Sequence, residues 1–161
     1  MSKTSKSEAI FWSIAFPGFG QLLNGQVLKG LLFILLEFII NLNSSFNLGI
    51  MFSFLGKISL AANVVNHQWL MFYPCVYMYA MYDAFKFSDG ETRPFSYMPF
   101  AFGAYFVTTG LMYSPHTYFG ISFGPIWLPM MSLVPGLIVG FIIQYLLTKY
   151  TSSSISDNLL D

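Results

Sequence analysis

One apolar stretch constrains the fold of this chain more than any other feature. It runs from Ile121 to Thr148 without a charged residue and reads ISFGPIWLPMMSLVPGLIVGFIIQYLLT. A helix needs about 20 apolar residues to cross the roughly 30 Å hydrocarbon core of a bilayer, and in lipid every backbone polar group must be bonded within the chain. The stretch is therefore predicted to be a membrane-spanning helix.

The composition extends this prediction to the whole chain. Of the 161 residues, 55% are hydrophobic, 19% are aromatic and only 9% are charged, whereas a typical soluble domain is about 25% charged. The chain therefore lacks the polar surface that a soluble fold exposes to water. We expect an all-α, polytopic membrane helical bundle that forms a single integral domain over residues 1–161.

Charge and cysteine content exclude several functional classes. Seven basic and seven acidic residues cancel, so nucleic acid is not an expected partner, and the expected partners are the lipid bilayer and another membrane protein or a second copy of the chain. Cys75 is the single cysteine, which excludes an intramolecular disulfide and a cysteine metal cluster. His67 and His116 are too few for a metal site, and no catalytic triad, P-loop or dinucleotide fingerprint is present. The sequence predicts no metal, no cofactor and no enzymatic activity.

Four full spans and one broken helix are predicted. The N-terminal apolar run from Ala9 to Phe16 is too short to cross a bilayer and is interrupted by Pro17, which indicates a broken or re-entrant helix over residues 9–26. Residues 44–67 are interpreted as an amphipathic outer segment or as a weak extra span, and residues 149–161 as a flexible tail. The predicted spans cover residues 27–43, 68–85, 97–113 and 121–148.

The distribution of basic residues predicts an orientation. With four spans, only Lys57 falls on one side of the membrane, and cytoplasmic loops carry the excess of Lys and Arg. Both termini are therefore expected to be cytoplasmic, and a six-span alternative keeps the same termini. The six basic residues predicted on the cytoplasmic side are Lys3, Lys6, Lys29, Lys86, Arg93 and Lys149.

The segment AFPGFGQLLNGQVLKG, residues 15–30, combines helix breakers with amide side chains. Glycines permit tight turns and close helix approach, proline ends the hydrogen-bond ladder, and amides satisfy the backbone groups released. We interpret the segment as a structural hinge, with binding of an ion, a lipid phosphate or a substrate as the alternative. Its candidate residues are Pro17, Gly18, Gly20, Gln21, Asn24, Gly25 and Lys29.

Four further polar residues fall within predicted spans or at their ends, namely Glu37, Asn41, Asp83 and Gln144. A carboxylate at membrane depth costs about 2.5 kcal/mol or more unless it is protonated or paired, which makes Glu37 a candidate for proton coupling or substrate binding. The structural alternative is a hydrogen bond from Glu37 to Asn41 or to Gln144. Asp83 is expected to form an ion pair with Lys86, three residues later in the same helix.

The last predicted span carries a stripe of small residues. Ser132, Gly136 and Gly140 recur every four residues and so lie on one face of a helix. Small residues let another backbone approach closely in lipid, where burial alone drives no association. This face is predicted to be the main packing surface of the bundle or of a homo-oligomer, with accommodation of a kink at Pro135 as the alternative.

Two motifs resemble a known family. They are PGFGQLLNGQVLKGLLF, residues 17–33, and YDAFK, residues 82–86, and they are similar to motifs of small bacterial multi-pass membrane proteins related to the two-transmembrane-domain family. The resemblance covers residues 9–43 and 68–87 and implies an integral module of the bacterial cell membrane, without implying an activity. The segment 44–67 and the two spans after Pro94 depart from the minimal domain.

The function expected from these features is that of a non-enzymatic scaffold or accessory subunit that packs against other membrane proteins. The alternative is a small transporter or channel that uses Glu37 and the broken 17–26 segment as its polar site.

Overall fold

The computed structural model describes residues 4–158, with side chains described through residue 153, and most of this length is helical. The all-α class is therefore confirmed. In chain order the helices are α1 (Lys6–Ala15), α2 (Phe19–Leu23), α3 (Val27–Ser44), α4 (Phe46–Phe54), α5 (Ile58–Val64), α6 (His67–Leu70), α7 (Tyr73–Phe87), α8 (Met98–Tyr113) and α9 (Gly124–Asn158).

The N-terminal helix breaks where the sequence predicts. The backbone N–H of Phe16 donates to Trp12 and ends α1, Pro17 is fully buried, and Gly18 adopts φ +105° before α2 begins. Proline cannot donate a hydrogen bond and glycine alone adopts this φ without strain, so the ladder cannot continue through residues 16–18. Both α1 and α2 then pack against α7.

Residues 44–67 form two short helices, α4 and α5, instead of one amphipathic helix. The chain turns between them at Gly56, with φ +71°, and it enters α4 through Ser45, with φ +56°. At 1.5 Å per residue α4 is about 13 Å long and α5 about 10 Å long, so neither crosses a bilayer alone. They pack against each other and against α9.

The predicted span 68–85 is also divided. Asn66 begins α6 by accepting hydrogen bonds from the backbone N–H groups of Gln68 and Trp69, and α6 ends at Leu70. Helix α7 starts afresh with Pro74 in its first turn. Proline is favourable there because its missing N–H needs no partner, but it would break a hydrogen bond farther inside a continuous helix.

Two boundaries of the last predicted span are corrected. Residues 117–118 pair with residues 121–122 in an antiparallel hairpin whose turn, Phe119 and Gly120, has positive φ at both positions, so α9 begins only at Gly124. The predicted flexible tail is helical through Asn158, because no glycine or proline follows Gly140 to end the helix. The rest of that predicted tail, residues 159–161, lies outside the described residues.

The prediction of four full spans is not confirmed. Within residues 4–158, two helices are long and apolar enough to cross a membrane, α3 and the part of α9 from Gly124 to Ser153. The other two candidates, α7 and α8, have 15 and 16 residues, or about 22 and 24 Å. Each starts at a proline in its first turn, which sets a helix boundary inside or next to the predicted apolar run.

Candidate functional site

The hinge segment and the end of α7 meet in one polar cluster. Gln21 Nε2 donates to the carbonyl of Ala80 at 2.7 Å and to Asp83 Oδ2 at 3.2 Å, and Asn24 Nδ2 donates to the carbonyl of Ala84 at 2.8 Å. Both amides come from the segment around α2, and their acceptors all lie on α7. We call Gln21, Asn24, Lys29 and Asp83 the amide–carboxylate cluster.

Asp83 pairs with Lys29, so the predicted ion pair with Lys86 is wrong. Lys29 Nζ lies 2.8 Å from Asp83 Oδ1, and the Asp83 side chain is buried whereas that of Lys29 is half exposed. The Lys29 ammonium also lies 4.2 Å from the centroid of the Phe87 ring. Lys29 forms the ion pair because α3 faces α7 and brings the Lys29 ammonium directly onto the Asp83 carboxylate. The Lys86 ammonium instead lies near the Phe87 ring, 5.8 Å from its centroid.

The glycines of the hinge allow this close approach. A Cβ on Gly20 would lie 2.7 Å from the Ala84 Cβ, and one on Gly18 would lie 2.5 Å from the Gly30 carbonyl oxygen. Any larger residue would therefore push α2 away from α7 or α3. Gly25 has open space around it but adopts φ +77°, which serves the turn into α3. The cluster thus depends on small residues at the positions where the elements cross.

Some acceptor capacity in this region is not used. Gln21 Oε1, Asn24 Oδ1 and Ser13 Oγ are buried, and they have no hydrogen-bond partner among the described residues. The charges of Lys29 and Asp83 balance, and Asp83 Oδ2, the carboxylate oxygen that Lys29 does not contact, accepts a hydrogen bond from Gln21. These contacts join the N-terminal segment to α7, and the cluster does not line the large groove described below.

Glu37 lies elsewhere, eight residues beyond Lys29 on α3. It is buried, and its Oε1 accepts a hydrogen bond from the Tyr73 hydroxyl at 2.9 Å. The expectation that Glu37 bonds Gln144 is wrong, because α3 packs on α6 and α7 while Gln144 lies on α9 and donates to the Pro94 carbonyl at 3.2 Å. Asn41 Nδ2 donates to Asn47 Oδ1 at 3.0 Å.

A long apolar groove runs between α7 and α9, and we call it the α7–α9 groove. Its volume is about 1030 Å³, and its wall on α9 extends from Pro125 to Thr148. Helix α8 also contributes to the lining, while α1 contributes residues at one end and α4, including Phe54, contributes at the other. Neither Glu37 nor any member of the amide–carboxylate cluster is part of this lining.

Charged residues line one end of the groove. They are Lys6, Glu91 and Arg93. Lys6 Nζ donates to Thr92 Oγ1 at 2.9 Å and to the Phe85 carbonyl at 3.2 Å, which joins the start of α1 to the end of α7. Burial lowers the pKa of Lys6 below its ordinary value, and the charge of Asp89 opposes that shift.

The small-residue stripe of α9 lies against α8. A Cβ on Gly136 would lie 2.8 Å from the Phe106 Cβ, and a Cβ on Gly140 would lie 2.5 Å from the Pro99 Cα. At the other end of the stripe, Ser132 fits against Gly110, and its hydroxyl donates to the Leu128 carbonyl at 2.8 Å. The close partner of this face is therefore another helix of the same chain.

Two contacts, Tyr73 with Glu37 and Lys6 with Thr92, could not be predicted from the sequence. Tyr73 is one of ten tyrosines, and nothing in its spacing connects it with Glu37, which is 36 residues away. The contact of Lys6 with Thr92 joins residues 86 apart. Periodicity and capping patterns act over a few turns, so neither contact could be derived from them.

Comparison with known proteins identifies no relative of this chain. The chain matches no family model, no curated protein and no solved structure. The resemblance to the two-transmembrane-domain family therefore rests on the two motifs alone, and the structure brings their residues into contact at the amide–carboxylate cluster.

Proposed function

We propose that the protein is a non-enzymatic integral membrane protein that acts as a scaffold or accessory subunit by packing against other membrane proteins. The main support is that the buried carboxylates are bonded within the chain while long apolar helix faces are exposed. The two carboxylates that the sequence places within or at the ends of spans are engaged within the chain, Glu37 with Tyr73 and Asp83 with Lys29. Long apolar helix faces are not covered by other parts of the chain, so these faces are available for contact with lipid or with another membrane protein.

Helix α3 illustrates this surface. Only 28% of its apolar window is buried, and Leu28, Leu35 and Leu42, which recur every seven residues, are each more than half exposed. In water such a face would be unfavourable, because apolar area costs about 25 cal/mol per Å² left exposed. In a bilayer the same face contacts lipid or another helix without that cost.

The proposed arrangement places both termini in the cytoplasm. Contacts of Lys6 and Lys29 with the end of α7 put these cations at one end of the bundle, and Arg93 lines the same end of the groove as Lys6. Lys57 lies at the other end, where its neighbour Ile58 contacts the start of α9 at Gly124. This asymmetry supports the orientation predicted by the positive-inside rule.

Four crossings remain the preferred arrangement within this proposal. Helix α3 and the apolar part of α9 each cross alone, and α6 and α7, with the turn at residues 71–72 between them, together form the third crossing. Helix α8, at about 24 Å, crosses beside α9, where the close packing of the two helices covers its shorter apolar surface. The pairs α1–α2 and α4–α5 enter from opposite sides to partial depth.

The test is the composition of the purified protein. The full chain, with a C-terminal affinity tag, is extracted from the membranes of its source cell in a mild detergent, and its mass and polypeptide content are measured by native electrophoresis and light scattering. We expect a particle that contains a second membrane polypeptide in a fixed ratio, retained through a second detergent. Recovery of the chain with lipid alone would contradict the proposal.

A single variant separates the scaffold from a transporter. Glu37→Gln keeps an oxygen that accepts from the Tyr73 hydroxyl but removes the charge, so the proposal expects an unchanged polypeptide ratio and an unchanged growth phenotype. Loss of the phenotype with the particle intact would instead support a role of the Glu37 carboxylate in proton or cation transfer.

A further inference from the structure

We infer that Glu37 binds a proton at neutral pH, and that the protonated side chain, bonded to Tyr73 and Asn41, holds α3 against α7. Loss of this proton at alkaline pH then weakens the contact between the two helices. The inference goes beyond the proposed function, because it concerns contacts within the chain and holds with or without a bound partner.

Two buried carboxyl groups of the described residues differ in their surroundings. Glu37 is 6% exposed and Asp83 is 5% exposed. Asp83 lies 2.8 Å from the Lys29 ammonium, which balances its charge, and Gln21 donates to its other oxygen. Within the described part of the chain, Glu37 forms no ion pair. A nearby cation stabilises a buried carboxylate, so Asp83 has the support that an ionised group needs and Glu37 does not.

No Lys or Arg side chain pairs with Glu37 from the helices packed on α3. On α7 the nearby titratable groups are Tyr73, whose hydroxyl lies 2.9 Å from Glu37 Oε1, and Tyr77, whose hydroxyl donates to a backbone carbonyl of α1. Helices α2 and α4 carry no titratable side chain. The one such residue of α6 is His67, which contacts Ser114 at the end of α8.

The charged residues closest in sequence are too far away to compensate. Lys29 is eight residues from Glu37 on α3, or about 12 Å along the axis, and is already paired with Asp83. Asp83 and Lys86 lie in the last two turns of α7, whereas Tyr73 is its first residue. A buried carboxyl group without a cation takes up a proton, because the neutral form avoids the free-energy cost of a desolvated charge.

The hydrogen bonds of Glu37 fit the neutral form. Its Oε1 accepts from the Tyr73 hydroxyl, and the O–H on the other oxygen needs an acceptor. Asn41, one turn later on α3, lies within hydrogen-bonding range of the Glu37 carboxyl group. Because Asn41 Nδ2 donates to Asn47 Oδ1, Asn41 Oδ1 is the atom assigned to Glu37. A protonated carboxyl group can donate to that oxygen, whereas a carboxylate can only accept.

The bound proton makes the contact depend on pH. A glutamic acid exposed to water is already ionised at neutral pH, so unfolding of the site releases the proton that Glu37 holds. Stability falls as pH rises wherever the unfolded state binds fewer protons than the folded state. The contribution of Glu37 is therefore fully present in acid, declines as the pH rises above the range in which exposed glutamate ionises, and is lost once Glu37 ionises in the folded protein.

Infrared spectroscopy of the full chain in detergent tests the protonation state. The C=O stretching band of a neutral carboxyl group is separate from the bands of carboxylates and amides. We expect this band at neutral pH in the unmodified chain and in Asp83→Asn, and we expect Glu37→Gln to lack it. Absence of the band from the unmodified chain, or its persistence in Glu37→Gln, would overturn the inference.

An apolar carbodiimide gives a second readout that needs no variant. A protonated carboxyl group transfers its proton to one nitrogen of the carbodiimide while its oxygen adds to the central carbon, so the adduct keeps every atom of the reagent. Mass spectrometry of peptides should locate the adduct on Glu37 and find Asp83 unmodified. Preferential modification of Asp83 would contradict the assigned protonation states.

Thermal melting at neutral and at alkaline pH tests the coupling to the fold. On this change of pH the midpoint of the unmodified chain should fall by about 2–4 °C more than that of Glu37→Gln. Glutamine keeps an oxygen that accepts from the Tyr73 hydroxyl and has no proton to lose in this range. Equal shifts of the two midpoints would refute the coupling, and this result leaves the proposed function intact, because that function is tested by the polypeptide content of the purified particle.

Discussion

At the scale of single residues, the structure pairs groups that lie far apart in the chain. Asp83 is 54 residues from Lys29 and three from Lys86, yet the ion pair forms with the distant lysine. A buried carboxylate needs a partner that reaches it directly, and Lys29 does so from the facing helix while Gln21 occupies the other carboxylate oxygen. Such a contact stabilises the junction of α2, α3 and α7.

Replacing Lys29 should therefore lower the free energy of unfolding more than replacing Lys86, the lysine on α7. Lys29→Met leaves the buried Asp83 carboxylate without its cation, and we expect a loss of about 1–3 kcal/mol in the free energy of unfolding in detergent. Lys86→Met, the control, should change that free energy by less than about 0.5 kcal/mol. The double variant Lys29→Met/Asp83→Leu should recover part of the loss, because no unpaired carboxylate remains. Equal losses for Lys29→Met and Lys86→Met would argue against the assigned pair.

Tyr73 provides a second test at this scale. Tyr73→Phe removes the hydroxyl that donates to Glu37 and should lower the free energy of unfolding by about 0.6–1.7 kcal/mol, the range of hydrogen bonds between membrane helices. Tyr79→Phe on the exposed face of α7 is the matched control and should have little effect. If the two variants unfold alike, the Tyr73 bond does not hold α3 to α7.

At the scale of elements, α8 and α9 form the most extensive helix–helix contact among the described residues. Ser132, Gly136 and Gly140 follow one face of α9 and meet successive parts of α8 from Gly110 to Pro99, so the two helices run antiparallel at short distance. In lipid the stability of such a pair depends on packing contacts, which fall off steeply when the backbones separate.

A bulky residue in the stripe should separate the two helices. Gly140→Leu meets the backbone of Met98 and Pro99, which cannot move as a flexible side chain does, and we expect a loss of about 1–3 kcal/mol in stability. Gly136→Leu should act in the same direction through the Phe102 carbonyl. Ile138→Leu lies on the exposed face and should stay within about 0.5 kcal/mol. Thermal melting in detergent is the measurement, and similar midpoints for all three variants would contradict the close α8–α9 contact.

At the scale of the whole molecule, the ends of the bundle differ in chemistry. One end gathers Lys6, Lys29 and Arg93 around the amide–carboxylate cluster and the groove mouth, whereas the other end carries Lys57 and the hairpin of residues 117–122. In the orientation that we propose from the positive-inside rule, the basic end faces the cytoplasm.

Accessibility labelling checks this orientation. In a Cys75→Ser background, single cysteines replace Thr117 at the hairpin and Ser152 near the end of α9, both of which are exposed. An impermeant thiol reagent added to intact cells should label Thr117→Cys and should label Ser152→Cys only after the cells are opened. Labelling of Ser152→Cys in intact cells, with Thr117→Cys protected, would reverse the orientation.

Several features of this protein could be read from local patterns in the sequence. Proline and two glycines place the break between α1 and α2, long apolar runs predict α3 and α9, and a four-residue spacing identifies the face of α9 that meets α8. Gly56 is also a local indication of a helix end, because glycine commonly follows the last residue of a helix. The apolar residues on both sides of Gly56 nevertheless favoured a single helix over residues 44–67, and the division into α4 and α5 was not predicted. These signals act within a few turns of one element, so the sequence alone determines them.

Only the tertiary structure decided which groups meet. It pairs Asp83 with Lys29 and Glu37 with Tyr73, it ends α6 before α7, and it forms the α7–α9 groove from six helices. Each of these depends on the mutual placement of elements separated by tens of residues. A side chain can choose among many partners across such a separation, and the choice is made by which helices pack together rather than by any repeat along the chain.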